Sequence, residues 1–178
     1  MSQRRATCII LCEDRRQSNF VRHCLKKKGW NNREIKEKIC PPALGSAEQF
    51  VRDQFPNELQ DFRTRSAKAK TILITVVDGD VKGFGDRCED LAVPFRNDDE
   101  AVAILIPTRN IDTWLYYLKG NRVNEEDDYK NRNEDKDCKQ TAKKLLESCS
   151  SSGLISDIPP SSLIKACDEY NMRIRLIK

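Results

Sequence analysis

Three carboxylates have the types and spacing to do chemistry. Thr71–Asp80 reads TILITVVDGD, an apolar run that ends in Asp78 and Asp80 with only Gly79 between them. The run predicts a buried strand, which places both acids at its C-terminal end. Thr7–Asp14, TCIILCED, has the same grammar and brings Glu13 to the end of a second strand. A third apolar run, Ala101–Thr108, is followed by Asn110 and Asp112. Gly79 lets the backbone leave its strand, so that Asp78 and Asp80 can turn toward one point. Two hard oxygen ligands that close, with a glutamate on a neighbouring strand, suit Mg²⁺ or Mn²⁺. Zinc has no comparable donor set: there is no CxxC pair, and the only histidine, His23, neighbours a single cysteine. A DxD pair alone is a weak signal, because acids at strand ends often cap helices or face solvent. The joint pattern of strand, Glu, amphipathic helix, and second strand ending in DxD is what points to a metal site.

The elements that must position these acids alternate along the chain. Thr7–Cys12 reads as a strand of the kind buried on both faces of a parallel sheet. Glu13–Arg16 forms the loop at its end. A helix follows, with Ser18 as its expected cap and Phe20, Val21, Cys24 and Leu25 facing the sheet, and it ends near Gly29. Arg33–Cys40 is ambiguous and reads as a short edge strand stopped by Pro41 and Pro42. Ser46–Gln49 is a capping box that opens a second helix, in which Pro56 is expected to cause a break or kink before Leu59 and Phe62. The central strand Thr71–Val77 leads through Gly83 and Gly85 into a short helix at Asp86–Leu91. The strand Val102–Ile106 then precedes a helix with Ile111, Trp114, Leu115 and Leu118 on one face. Such alternation predicts an α/β fold with a mostly parallel central sheet and helices on both faces. In such sheets ligands sit outside the carboxyl ends of the strands.

Residues 120–139 change character, being dominated by Asn, Asp, Glu, Lys and Arg. The segment reads as an exposed, mobile insertion, and the sharper alternative is an acidic loop folded over a site. Helices at Asp137–Cys149 and Ser161–Tyr170 follow. The final MRIRLIK alternates Met172, Ile174 and Leu176 against basic residues, which suits a terminal edge strand or a partner contact. Residues 1–118 would form the core, and residues 119–178 a charged insertion and C-terminal helices completing the same domain.

A chain of 178 residues allows one domain. Its formal net charge of +4 permits a nucleic-acid partner without arguing for one. The basic stretches Arg15–Arg16, Lys26–Lys28 and Arg63–Lys70 each read first as solvated faces. The eight cysteines mostly occupy apolar or amphipathic positions and read as free, core-filling thiols rather than disulfides. No apolar run is long enough to span a bilayer and the N-terminal residues lack a signal peptide's apolar stretch, so a cytoplasmic location with no membrane partner is expected.

Taken together, Glu13 in IILCED and Asp78 and Asp80 in VVDGD resemble the toprim domain. That metal-binding fold is shared by topoisomerases, bacterial primases, small ribosomal-RNA maturases and phage-defence nucleases of the overcoming-lysogenization-defect and related groups. The resemblance covers roughly residues 7–118 and implies a toprim-like three-layer sandwich. The small defence-associated members often add an acid at the head of the helix after the next strand, matched here by Asp112 in IPTRNIDTWL. The family glycine after the glutamate is Asp14 here, which departs from primases and topoisomerases and leaves Asp14 open as a ligand or a polar loop residue.

The resemblance implies an Mg²⁺- or Mn²⁺-dependent endonuclease that cleaves or nicks phosphodiesters in DNA or RNA, an antiphage effector. Asp78 and Asp80, helped by Asp112, would hold one or two ions, and Glu13 would bind a second ion or act as general base. Arg15, Arg16, Lys82, Arg87 and Arg109 lie near the acids in sequence. Each would contact phosphate or merely balance the acidic cluster. The chain has no Walker A sequence, GxxxxGK[ST], so an ATPase subunit encoded nearby is a candidate partner, as is a second copy in a homodimer. Two other readings stand beside this one: a non-catalytic or ligand-controlled toprim subunit that binds an ATPase or nucleotide, and an RNA-processing toprim nuclease.

Overall fold

The computed structural model describes residues 6–91, 96–150 and 159–174. Four parallel strands, β1 (Thr7–Cys12), β2 (Ile35–Ile39), β3 (Thr71–Val76) and β4 (Val102–Leu105), form one sheet in the order β2-β1-β3-β4. β1 and β3 occupy the centre and are apolar almost throughout, because both of their faces are covered. β2 lies at an edge, as its mixed pattern suggested.

Helices α1 (Arg15–Lys27) and α2 (Ala47–Ser66) lie on opposite faces of the sheet. Ser18 of α1 donates to Glu37 of β2, whereas Glu58 of α2 accepts from the next residue, Lys38. Successive strand residues point to opposite faces, so the two helices must be separated by the sheet. The arrangement is an α/β sandwich consistent with the toprim-like layering expected from sequence. The remaining helices are α3 (Gly83–Asp90), α4 (Ile111–Leu118), α5 (Asp137–Ser150) and α6 (Ser161–Ile174).

Four expectations need correction. Asp14, not Ser18, caps α1: its carboxylate accepts from the Gln17 backbone amide at 2.8 Å, and Ser18 is buried inside the first turn. Pro56 does not break α2, which runs through it. Val51, Phe55, Leu59 and Phe62 make one buried stripe across the proline, and their burial offsets the roughly 3 kcal/mol that an internal proline costs. The segment from Met172 to Ile174 belongs to α6 rather than to a strand, while Leu176 lies outside the described residues. Leu163, Ala166, Cys167 and Ile174 follow helical spacing and are buried, and Met172 is exposed. Glu169 of the same helix accepts the Ile104 amide at 3.0 Å, so the outer edge of β4 is met by a side chain instead of a fifth strand.

The fourth correction concerns the cysteines. Cys149 and Cys167 form a disulfide that joins α5 to α6, with 5.7 Å between their Cα atoms. Cys8, Cys12, Cys24, Cys40, Cys88 and Cys138 are free, and burial raises the proton affinity of Cys12 (to about 12) and of Cys24, so these thiols are inert packing groups.

Candidate active site

β1, β3 and β4 run parallel, so Glu13, Asp78, Asp80 and Asp112 all emerge at one end of the sheet. Glu13 and Asp78 meet there directly: the Glu13 carboxylate accepts the backbone N–H of Asp78. Gln17, fully buried in the first turn of α1, links the pair. Its side-chain oxygen accepts the Glu13 amide at 2.9 Å, and its side-chain nitrogen donates to Asp78 Oδ1 at 2.8 Å. Asp14 holds Gln17 in this position through the helix cap, which answers the question left by the missing glycine: Asp14 is a cap.

Burial makes both acids reluctant to ionise. It pushes the Glu13 carboxyl up to about 7, opposed by the Asp78 amide and reinforced by the charge of Asp80. Asp78 is also raised well above the ordinary range, first by burial and then by Glu13. These acids share one neighbourhood and repel one another.

Gly79 has a different role from the one its flexibility suggested. Its amide donates to Pro107 O at 2.8 Å, and a Cβ there would stand 3.0 Å from that same oxygen. The glycine allows the backbones leaving β3 and β4 to touch. The next residue, Asp80, has φ 48° and pairs with Arg109, φ 62°, through an N–H···O bond of 3.0 Å. Two facing non-glycine residues in the left-handed region are a costly arrangement, of the kind that clusters where geometry serves a site.

The arginines find carboxylates within the protein. Arg87, only 4% exposed, donates to Asp78 O (2.9 Å), Asp80 Oδ2 (2.9 Å), Glu48 Oε1 (2.8 Å) and more distantly Asp90. It is a buried bracket that holds Asp80 and the β3 terminus to α2. Arg16 pairs with Asp112 at 2.8 Å and Asp135 at 3.2 Å. Lys82 pairs with Asp90, and Arg109 donates to the Glu126 carbonyl. Of the five cations considered for phosphate, Arg15 and Lys82 are exposed, and Lys82 is paired with Asp90.

Asp112 stands apart from the other acids. Asn110 caps α4, so Asp112 occupies its first turn. Its carboxylate accepts from Arg16 and, at 2.9 Å, from Asn133, which also donates to its carbonyl. Asn133 belongs to the charged segment after α4. That segment has no regular secondary structure but is anchored at several points. Asp128 accepts from Asn110, and Glu125 accepts the amides and hydroxyls of Ser161 and Ser162 at the start of α6. It is an acidic strap over the Asp112 side of the sheet end, closer to the sharper of its two sequence readings.

The donor chemistry fits a hard divalent cation: Glu13, Asp78 and Asp80 are oxygen ligands crowded at one strand end, and their mutual repulsion would be relieved by one. Among the described residues, however, no three His, Cys, Asp or Glu side chains are arranged to hold an ion. Arg87 draws Asp80 aside, and Arg16 and Asn133 engage Asp112. The apolar cavity of about 40 Å³ lined by Phe20, Ile74, Trp114 and Tyr170 lies within the helix layer and touches none of these acids.

Sequence reasoning missed Gln17 and the bracketing role of Arg87. A polar residue three positions after an Asp cap is a usable signal for the first; nothing local signals the second. Among the described residues no helix is long and apolar enough to cross a membrane. Compared with known proteins, the chain matches no family model, no curated protein and no solved structure.

Proposed function

We propose that the carboxyl end of this sheet is a toprim-type, divalent-metal-dependent phosphodiesterase site, and that the protein is a nuclease acting on DNA or RNA, an antiphage effector. The observation that supports this most is the Glu13–Asp78 contact. A buried and a half-buried carboxylate from adjacent strands are held together at an energetic cost, with a third acid two residues on. Clusters with such displaced proton affinities are far more common at functional sites than in structural frameworks.

Glu13, Asp78 and Asp80 are the residues that would hold Mg²⁺ or Mn²⁺. Bound there, the ion would polarise a phosphoryl oxygen and stabilise charge on the leaving group. Asp14 and Gln17 orient Glu13 and Asp78. Glu13, with proton affinity near neutrality, is suited to take a proton from an attacking water. Asp112 is assigned to anchoring Arg16 and the strap rather than to the ion.

A ligand-controlled subunit, working with a separate ATPase, is a second reading favoured by one observation: Asp80 and Asp112 are both engaged by the protein's own cations. On that reading the site opens only when a partner or nucleotide displaces them.

The decisive experiment incubates purified protein with supercoiled plasmid and with structured RNA, with and without Mg²⁺ or Mn²⁺. Cleavage is expected only with metal, and the Asp78→Ala, Asp80→Ala double variant should lose it at least a hundredfold while keeping a folded spectrum. Cleavage that persists in the double variant sinks the site assignment. Metal-dependent cleavage that appears only on adding neighbouring gene products favours the second reading.

A further inference from the structure

Lys26–Lys28 was read from sequence as a solvated face, but the fold surrounds Lys27 with more lysines. Lys27, in the last turn of α1, shares an open concavity of about 250 Å³ with Lys136, in the turn just before α5, and with Lys139, Gln140 and Lys143 on α5. All four lysines are exposed. Their summed charge equals the formal excess of +4 carried by the whole chain, so the remainder is neutral. Lys136 has a partner in Glu134, while Lys27 and Lys139 have no ion pair among the described residues. The same convergence is felt at His23: after burial, the charges of Lys26, Lys139, Arg22 and Lys27 disfavour its protonated form, so cations from both helices surround one imidazole.

We infer that this α1–α5 lysine basin is a docking surface for the phosphodiester backbone of a nucleic acid. Lys139 and Lys143 stand about 6 Å apart along the axis of α5, a length over which a duplex carries on the order of four phosphates, and Lys136 extends the row from the turn before the helix. No apolar or aromatic side chain lines the basin, so it has nothing to insert into a bilayer. Lysine ammonium groups grip phosphate as point charges without reading bases. The basin binds without sequence preference, and its affinity falls with salt. Helix α1 carries Lys27 about 15 Å along its axis from Gln17, so the basin holds a stretch of polymer away from the acids and acts by retention, not chemistry.

This inference rests on the reading of the protein as one that acts on nucleic acid. Its test is therefore binding in EDTA, where the acid site is silent. Fluorescence anisotropy with a 20-base-pair DNA duplex and an RNA hairpin compares the full chain with Lys27→Ser/Lys139→Ser. The control of equal charge change is Lys36→Ser/Lys70→Ser, at exposed lysines outside the basin. The basin variant should lose about tenfold in affinity at low salt, and the slope of log K against log salt should fall by about 2. The control should change little. Equal losses in both variants would reduce the effect to net charge and overturn the assignment, as would absence of binding by the parent chain. Selective binding to phosphatidylserine vesicles, lost in the basin variant, would reassign the surface to membranes. Failure of cleavage with basin-dependent binding intact would indict the acid site alone.

Discussion

Asp78, just past β3, and Asp112, in the first turn of the helix that follows β4, are buried to nearly the same degree, 9% and 5% exposed, yet the protein treats them oppositely. Asp112 accepts from a guanidinium and a side-chain amide. Asp78 accepts from one neutral amide and faces Glu13, Asp14 and Asp80. Burial by itself therefore does not mark a site. Unmet charge does, because a carboxylate that serves only the framework is given a counter-ion.

The largest test removes Arg87, the buried cation that serves the Asp78 side. Arg87→Ala takes a donor from four acceptors, of which Glu48 and Asp90 keep a second cation while Asp80 and the Asp78 carbonyl lose this one, and a loss of about 3 kcal/mol is expected in urea unfolding. A loss below about 1 kcal/mol would mean that Arg87 is not the bracket described. Next come the paired variants. Asp112→Asn should destabilise by about 1–2 kcal/mol at pH 8, because Arg16 loses the nearer and more buried of its two carboxylate partners. Asp78→Asn keeps the acceptor for Gln17 and removes the repulsion, so it should stabilise at the same pH. Changes of the same sign in both would erase the contrast.

The last test is the most discriminating because its effect depends on pH. Glu13 titrates near 7 when folded, against an ordinary 4.5, so the folded chain holds its proton more tightly. The resulting stabilisation is fully present below about pH 4.5 and is lost as pH rises through about 7. Glu13→Gln retains the acceptor for the Asp78 amide without the charge. It should match the parent near pH 4.5 and exceed it at pH 8 by on the order of 2 kcal/mol, read as a pH-dependent rise in Tm. A constant difference across pH would show that the glutamate is not strained by ionisation.

The sheet and its acids were legible because their signals are local. β1, β3 and β4 are runs of apolar residues, and Glu13, Asp78 and Asp80 follow them directly. The fate of the arginines was not legible, since Arg16 meets Asp112 across 96 positions and Glu48 meets Arg87 only after two elements pack. Pro56 misled because local backbone cost was weighed without the apolar stripe it interrupts. The chain from Met172 misled because three alternating residues fit strand and helix alike, and the stripe that decides lies further back, at Leu163 and Cys167. The strap was half legible: its composition showed an exposed loop, but its anchors at Asn110, Arg16 and Ser162 required the fold.

The bond from Ile104 to Glu169 has a consequence for assembly. It closes the outer side of β4 to an incoming strand, and the opposite edge, β2, presents Lys36, Glu37 and Lys38 to solvent or to salt bridges. A sheet with one border stoppered and the other charged does not propagate into filaments. Among the described residues, both borders of the sheet thus disfavour strand-to-strand pairing between copies.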